Sequence, residues 1–219
     1  MKIFNKINFL ACGLLLTLAA FPVFAQEKSA DEFKINLRPM QDLTQLVLEQ
    51  VKTRRVDLTK PFLIDLEGVL TKDGRLDLKT TKFVKSEGDE RMVAIGKSFI
   101  EAINYSGWFK YLKNLGVQKI NFTLAQDDSQ TYAIIISEQS TVERAKSFSS
   151  GLNLMVQMIS IMDKDGRKKL DDDARILING ITVGNEGKNI TLKFVYEKSI
   201  IQELISRKLR EAEAKQSSE

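Results

Sequence analysis

Apolar residues recur with two different periods along this chain, and each change of period marks the border of a predicted element. Pro39, which suits the first turn of a helix, opens the first helical pattern, and a capping box at Ser140 opens the longest one. Helical spacing of the apolar residues predicts helices over five segments: residues 39–53, 89–106, 140–162, 171–179 and 199–209.

Alternation of apolar and polar residues predicts the strands. The first strand begins after Pro61, and the turn at Lys72-Asp73-Gly74 leads into a second strand that ends at about Val84. Breaks are expected at residues 86–89 and, before the last strand, at residues 184–187. The five predicted strands cover residues 62–70, 75–84, 120–124, 132–136 and 190–196. Residues 132–136 are apolar on both faces, which is typical of the middle of a sheet.

The order of these elements is α-ββ-α-ββ-α-(α)-β-α, which predicts an α+β fold. We expect an antiparallel sheet, or sheets, of about five strands with helices packed mainly on one face. Residues 26–38 are polar and are predicted to form a flexible segment. Residues 39–137 form the α-ββ-α-ββ region, residues 138–209 a helical extension with one strand and a terminal helix, and residues 210–219 a charged tail that frays.

The N-terminus has the three parts of a secretory signal peptide. Lys2 and Lys6 supply a basic start, residues 9–24 are apolar, and a small residue stands at Ala25, where cleavage is expected. The alternative is an inner-membrane anchor formed by residues 9–25, although that segment is short for a spanning helix and contains Pro22. Cys12 lies within the apolar segment and too close to Lys6 for a lipidation site, so we expect a periplasmic or secreted protein.

The residue types that are absent exclude many chemistries. The chain of 219 residues has no histidine, and its single cysteine is Cys12. Cleavage after Ala25 therefore leaves a chain without a Ser-His-Asp triad, a thiolate nucleophile or a thiolate zinc site. It also leaves 31 basic and 29 acidic residues, a formal charge of +2. The basic runs at residues 52–55 and 167–169 are scattered, so no nucleic-acid partner is expected.

Several short motifs resemble functional sites and have simpler structural explanations. Gly96-Lys97-Ser98 imitates the end of a phosphate-binding loop, but it lies inside a helical pattern and lacks the earlier glycine. Residues 163–173 imitate a calcium loop, but Ile161 would occupy the first ligand position, so a helix end followed by an acidic helix start is favoured. Residues 108–111 form an aromatic turn. We expect this turn to cover the core rather than to bind a ligand.

Paired carboxylates are the remaining route to catalysis. Glu67 with Asp65, and Glu87 with Asp89, are conceivable glycosidase pairs, although each is also typical of a strand surface or a helix start. The sequence therefore assigns no catalytic, cofactor-binding or metal-binding residue, and no cofactor is expected.

Residues 61–137 resemble the C-terminal domain family of TonB, the periplasmic energy transducer. The similarity lies in Gly68-Val69, the turn at residues 72–74, residues 83–88 running into an alanine-containing helix that ends at Ala102-Ile103, an aromatic turn, and the strand at residues 120–124. The resemblance implies a strand–strand–helix–strand fold that binds partner proteins, partly by strand addition, and catalyses nothing. The chain differs from the family because it has no proline-rich spacer, since its sequence contains three prolines in total.

Two functional hypotheses follow. The first is a non-enzymatic binding or structural domain of the bacterial cell envelope that contacts other envelope or membrane proteins, with membrane contact only if the N-terminal segment is retained. The second is a carboxylate-based hydrolase of envelope glycans, which predicts two carboxylates about 5–9 Å apart across a cleft. Residues 207–215 are a further candidate binding segment for a partner, although a solvated helix end is the simpler interpretation.

Overall fold

The computed structural model describes residues 36–114, 116–167 and 170–216. The predicted signal peptide, its cleavage site, Cys12 and most of the polar segment lie outside these residues. The described helices are α1 (Arg38–Lys52), α2 (Glu90–Ser106), α3 (Phe109–Asn114), α4 (Val142–Lys164), α5 (Asp172–Asn179) and α6 (Lys198–Gln216). The described strands are β1 (Phe62–Val69), β2 (Lys82–Gly88), β3 (Lys119–Gln126), β4 (Gln130–Glu138), β5 (Ile181–Glu186) and β6 (Asn189–Glu197).

The protein has an α+β fold in which six strands form one antiparallel sheet. The order across the sheet is β2-β1-β3-β4-β6-β5, so each of three hairpins lies beside the next. β4 pairs with β3 and β6 in the middle of the sheet, which confirms the position that its two apolar faces predicted. Strands β2 and β5 form the two edges.

One face of the sheet carries the hydrophobic core. Ile64, Phe122, Ile135, Leu192 and Val183 lie in neighbouring strands on this face, and all of them are buried. Buried residues of the helices join the same cluster: Met40, Leu43, Met92, Ile100, Ile103, Phe109, Leu152, Leu177 and Leu204. The opposite face carries half-buried and exposed residues, apart from the buried Ala125. This is the pattern of an antiparallel sheet with one covered face.

Helix α2 begins and ends where its sequence predicts. The Asp89 side chain accepts hydrogen bonds from the backbone N–H groups of Arg91 and Met92, which satisfies two donors of the first turn. Gly107 ends the helix in the left-handed conformation, with φ of 80°. Helix α4 begins one residue later than the predicted capping box, because Thr141 rather than Ser140 is the N-cap and accepts from the N–H of Arg144.

The sheet has one strand more than predicted, so the region 138–209 contributes two strands instead of one. Residues 184–186, which were expected to form a turn, complete β5, and Gly187 provides the turn with φ of 54°. The second predicted strand is also displaced, since β2 occupies Lys82–Gly88 and includes most of the expected break. All seven residues of β2 are exposed, so no apolar alternation marks its position.

The two segments that were expected to be irregular are helical. Phe109–Asn114 forms α3 in place of a simple aromatic turn. The charged tail also differs from the prediction, because α6 continues to Gln216. Its last residues, REAEAK, combine strong helix formers with acidic and basic residues at i,i+4 spacing, which explains why the helix continues.

Candidate protein-binding surfaces

The predicted carboxylate pairs have structural partners. Asp65 lies opposite Lys85 in the β1–β2 pair. Glu87 forms an ion pair of 3.0 Å with the Lys85 ammonium, and Asp89 caps α2. Glu67 lies opposite Lys82 at the end of the same pair of strands. These carboxylates therefore lie on an open strand surface and at a helix start. Their partners there are lysine side chains and backbone N–H groups.

The carboxylates of the calcium-like segment, residues 163–173, also have hydrogen-bond or ion-pair partners. Asp163 accepts from the N–H of Leu170 and pairs with the Arg175 guanidinium at 2.6 Å. The hydrogen bond from Arg175 to Asp163 raises the pKa of Arg175. Asp171 caps α5, and Asp172 pairs with Arg175 at 2.8 Å. Asp173 is buried and binds Arg207 of α6. The segment is thus a helix end followed by an acidic helix start, as predicted. Arg175 joins α5 to Asp163 of α4, and Arg207 joins α6 to Asp173 of α5.

The other sequence motifs pack against the core. Gly96 lies inside α2, where an added Cβ would approach the Ile64 side chain to 2.5 Å, so this glycine permits close packing of the helix on the sheet. Lys97 lies over the Phe83 ring at 4.8 Å. Trp108 and Phe109 are buried with their ring centroids 5.5 Å apart in an edge-on arrangement, so the aromatic segment covers the core.

The basic run at residues 52–55 ends α1 in a Schellman motif. The N–H of Arg55 donates to the carbonyl of Gln50, and the N–H of Arg54 donates to the carbonyl of Val51. Arg54 occupies the position that glycine usually takes, with φ of 54°. Arg91 of α2 donates to the Arg55 carbonyl. The end of α1 is thereby fixed to the start of α2.

A groove at one end of the sheet contains two carboxylates that the sequence did not pair. It has a volume of about 690 Å³ and includes Asp128, Glu197 and Lys198 in its lining. Hydroxyl and amide side chains of Thr59, Ser129, Gln130, Ser199 and Gln202 complete the lining. Asp128 and Glu197 are 69 positions apart in the chain, so only the folded sheet brings them to one groove.

Edge strand β2 has a free side. Within the described residues β2 pairs only with β1, and a register shift between Asp65 and Leu66 marks a bulge at Val84. The N–H of Asp89 donates to the carbonyl of Pro61 in continuation of this pair. Because hydrogen-bonded and non-bonded pairs alternate in an antiparallel ladder, Ser86 directs its backbone N–H and C=O away from β1. These groups are available to another strand.

Edge strand β5 is covered by α4. The Asn153 side-chain amide donates a hydrogen bond of 3.0 Å to the Val183 carbonyl. The N–H of Val195 donates to the Gly180 carbonyl, so the same alternation directs the carbonyl of Val183 toward the free edge. The Ser149 hydroxyl donates to the Asn185 side-chain oxygen at 2.9 Å and adds a second contact. The two edges of the sheet therefore differ in their access to a partner.

Helix α4 exposes apolar residues on the side away from the sheet. Its buried residues are Ala145, Ser149, Leu152 and Ile159. The exposed α4 stripe consists of Ser147, Gly151, Leu154, Met158 and Ile161, all uncharged. The large members are 58% (Leu154), 41% (Met158) and 50% (Ile161) exposed. Apolar residues thus line both sides of this helix, and a periodicity argument alone does not show which side faces solvent.

In residues 36–114, 116–167 and 170–216, no helix has the length and apolar content required to cross a membrane. Those residues also contain no cluster of three or more acidic, cysteine or histidine side chains arranged to hold a metal ion.

The chain was also compared with known proteins. No protein-family model, no curated protein and no solved structure matches it.

Proposed function

We propose that this chain is an exported, non-enzymatic protein of the bacterial cell envelope that binds another envelope protein by strand addition at β2. The observation that carries the proposal is the free edge of β2, whose seven residues are all exposed while α4 covers the other edge of the sheet. An exposed edge provides backbone donors and acceptors for an extended segment of a partner. The resemblance of residues 61–137 to the TonB C-terminal domain family supports the same mode of binding.

The lysines of β2 are balanced by carboxylates of β1 and β2. Lys82 and Lys85 lie opposite Glu67 and Asp65 of β1, and Glu87 forms an ion pair with Lys85. Lysines and a bulge on an edge strand also hinder pairing between identical copies. An extended partner segment would therefore be held by the free backbone groups of β2 rather than by a net charge on this strand.

The experiment places a photo-crosslinking side chain at Val84, which is 62% exposed, in cells that produce the protein. The matched control carries the same group at Thr182, an exposed residue of the covered strand β5. Proline at Ser86 removes the free backbone N–H but leaves the β1–β2 ladder in place, whereas alanine at Ser86 retains that N–H. We expect one envelope protein to be crosslinked from Val84 and not from Thr182, and S86P but not S86A to abolish the product.

Recovery of the crosslinked partner allows its purified extended segment to be tested for direct binding. Equal crosslinking from Val84 and Thr182, or crosslinking that S86P leaves unchanged, would contradict strand addition. The intact mass of the exported protein tests the signal peptide separately: a chain that begins at Gln26 supports cleavage, and a full-length chain supports the anchor.

A glycan hydrolase is the second candidate, and the groove with Asp128 and Glu197 is the observation that favours it. Glycosidases use two carboxylates on either side of the bond that they cleave, and the polar lining suits a carbohydrate. Turnover of envelope glycans by the purified protein that is lost in both D128N and E197Q would establish this function. Absence of turnover, together with a β2 partner, supports the binding function.

A further inference from the structure

The α4 stripe has the spacing of a helix-pairing surface. Its five residues follow one another at intervals of four, three, four and three positions, which is the a/d pattern of a coiled coil. No charged residue occurs in the sixteen positions from Ser147 to Met162. Surface helices of soluble proteins usually carry charges on the exposed side, so this side is suited to contact with another apolar helix.

The sizes of the stripe residues match those of a second, antiparallel copy. The small residues Ser147 and Gly151 lie in its N-terminal half, and the large residues Leu154, Met158 and Ile161 lie in its C-terminal half. In an antiparallel pair the a positions of one helix face the d positions of the other. Gly151 then faces the partner's Leu154, and Ser147 faces the partner's Met158. Large side chains therefore meet small ones in the middle of the contact, and at each end Ile161 faces the partner's Arg144, an exposed residue whose aliphatic stem packs against it.

The charges at the ends of the stripe give the same orientation. Glu143 and Lys164 occupy g positions, one at each end, and both are exposed. Residues at g positions of antiparallel helices lie beside each other, so Glu143 of one copy meets the partner's Lys164, twice by symmetry. A parallel arrangement would bring Glu143 next to Phe148, an e position, of the other copy and lose both ion pairs.

We propose that this protein forms a two-fold homodimer through the α4 stripe, with the two α4 helices antiparallel. The interaction leaves β2 free, because α4 packs against β5 and β6 at the other side of the sheet. A contact of one helix from each copy is small for a stable dimer, so the dissociation constant is expected to be on the order of 10 µM. Each dimer would then present two β2 edges to its partners.

Sedimentation velocity of the exported protein over a range of concentrations tests the proposal. We expect a concentration-dependent shift from the monomer to the dimer. L154D places one charged side chain from each copy in the contact. We expect it to weaken association about 100-fold or more. The control L78D makes the same change at a residue that is 65% exposed outside α4, and it should leave association unchanged. Thermal unfolding confirms that both variants are folded.

A charge exchange tests the orientation. E143K and K164E are each expected to weaken association about tenfold, because each brings like charges together at both ends of the contact. The double variant E143K/K164E restores opposite charges and should return to within about twofold of the original affinity. A monomer at all concentrations, a dimer insensitive to L154D, or a double variant as weak as the singles would overturn the proposal. So would a monomer that binds lipid vesicles through the stripe.

Dimerisation and partner binding can fail independently. S86P should abolish partner binding and leave the dimer intact, whereas L154D should dissociate the dimer and leave binding of a β2 partner measurable.

Discussion

The Asn153 side-chain amide donates a hydrogen bond of 3.0 Å to the backbone carbonyl of Val183, across 30 positions of the chain. This contact places a helix against the backbone of one edge of the sheet, whereas α2 approaches β2 through the Lys97 ammonium over the Phe83 ring, and in the described residues no helix forms a hydrogen bond with the β2 backbone. A sheet with one covered edge leaves backbone donors and acceptors exposed at one defined place, which is where the proposed strand addition would occur.

The contact between Asn153 and Val183 can be removed with little change in shape. N153D keeps the size of the side chain but replaces the donor by a carboxylate, which faces the carbonyl oxygen. We expect the free energy of unfolding near pH 7 to fall by about 1–2 kcal/mol, measured by urea denaturation. Q157E makes the same change in charge at an exposed position of the same helix and should cost much less. Equal effects of the two variants would show that the hydrogen bond contributes nothing.

Gly180 is required for space and not for its backbone conformation. Its φ is −83°, which any residue adopts, but an added Cβ would approach the Tyr196 ring to 2.1 Å. Tyr196 is held in place by its hydroxyl, which donates to the Leu177 carbonyl at 2.5 Å, and burial raises the pKa of this tyrosine. We expect G180A to lower the free energy of unfolding by about 1–3 kcal/mol.

The matched control for G180A is G184A in β5. No atom lies within 4 Å of the position that the new Cβ of residue 184 would occupy. This variant should be neutral or slightly stabilising, because alanine loses less conformational freedom than glycine on folding. A loss of stability in G184A equal to that in G180A would contradict the steric explanation.

Arg54 is expected to reduce stability where it stands. An arginine with φ of 54° has an unfavourable contact between its Cβ and the backbone, and glycine does not. We expect R54G to raise the free energy of unfolding by roughly 0.5–1 kcal/mol, after allowance for the greater freedom of glycine in the unfolded chain. R55G, at a neighbouring residue without a positive φ, should not stabilise the protein. A loss of stability in R54G would show that its side chain makes a stabilising contact.

Asp127 is expected to contribute to the pH dependence of stability. Its carboxylate accepts from the backbone N–H groups of Ser129 and Gln130, both at 2.7 Å, and from the Ser129 hydroxyl, and the bond from the Ser129 N–H is the main reason that its pKa is lowered. The unfolded chain therefore takes up a proton at a higher pH than the folded protein. This contribution is fully present above about pH 4 and is lost as the pH falls through the lowered pKa.

Chemical denaturation between pH 2 and pH 6 measures this effect. D127N should weaken the dependence of stability on pH in the acid range. D128N removes the same charge without removing these hydrogen bonds, so the difference between the two variants isolates their contribution. An identical acid dependence in wild type and D127N would contradict the assignment.

The sequence predicted most accurately the elements whose caps and apolar spacing agree with their position in the folded sheet. Helix α2 combines an apolar stripe with Asp89 as its cap and Gly107 at its end, and β4 is apolar on both faces. β5 was missed because Ile181, Thr182 and Val183 are followed by residues typical of turns. Its strand conformation depends on pairing with β6 and contact with α4, which are properties of the folded sheet.

The candidate surfaces depend on strand order and therefore could not be found from local patterns. Ser86 was assigned to a break, since an edge strand exposed on both faces has no alternation. Asn153 and Val183 gain their roles only when α4 lies along β5. The α4 stripe is visible in the sequence as an a/d repeat, but a second apolar repeat on the same helix is the buried one.

Hydrogen exchange at the backbone amide of Ser86 tests the central claim most directly. In the free protein this amide points away from β1 and should exchange rapidly, faster than the amides of β3 and β4 in the middle of the sheet. When the partner found by crosslinking binds, strand addition predicts strong protection at Ser86 and no new protection along β5. Binding that leaves exchange at Ser86 unchanged would contradict the account.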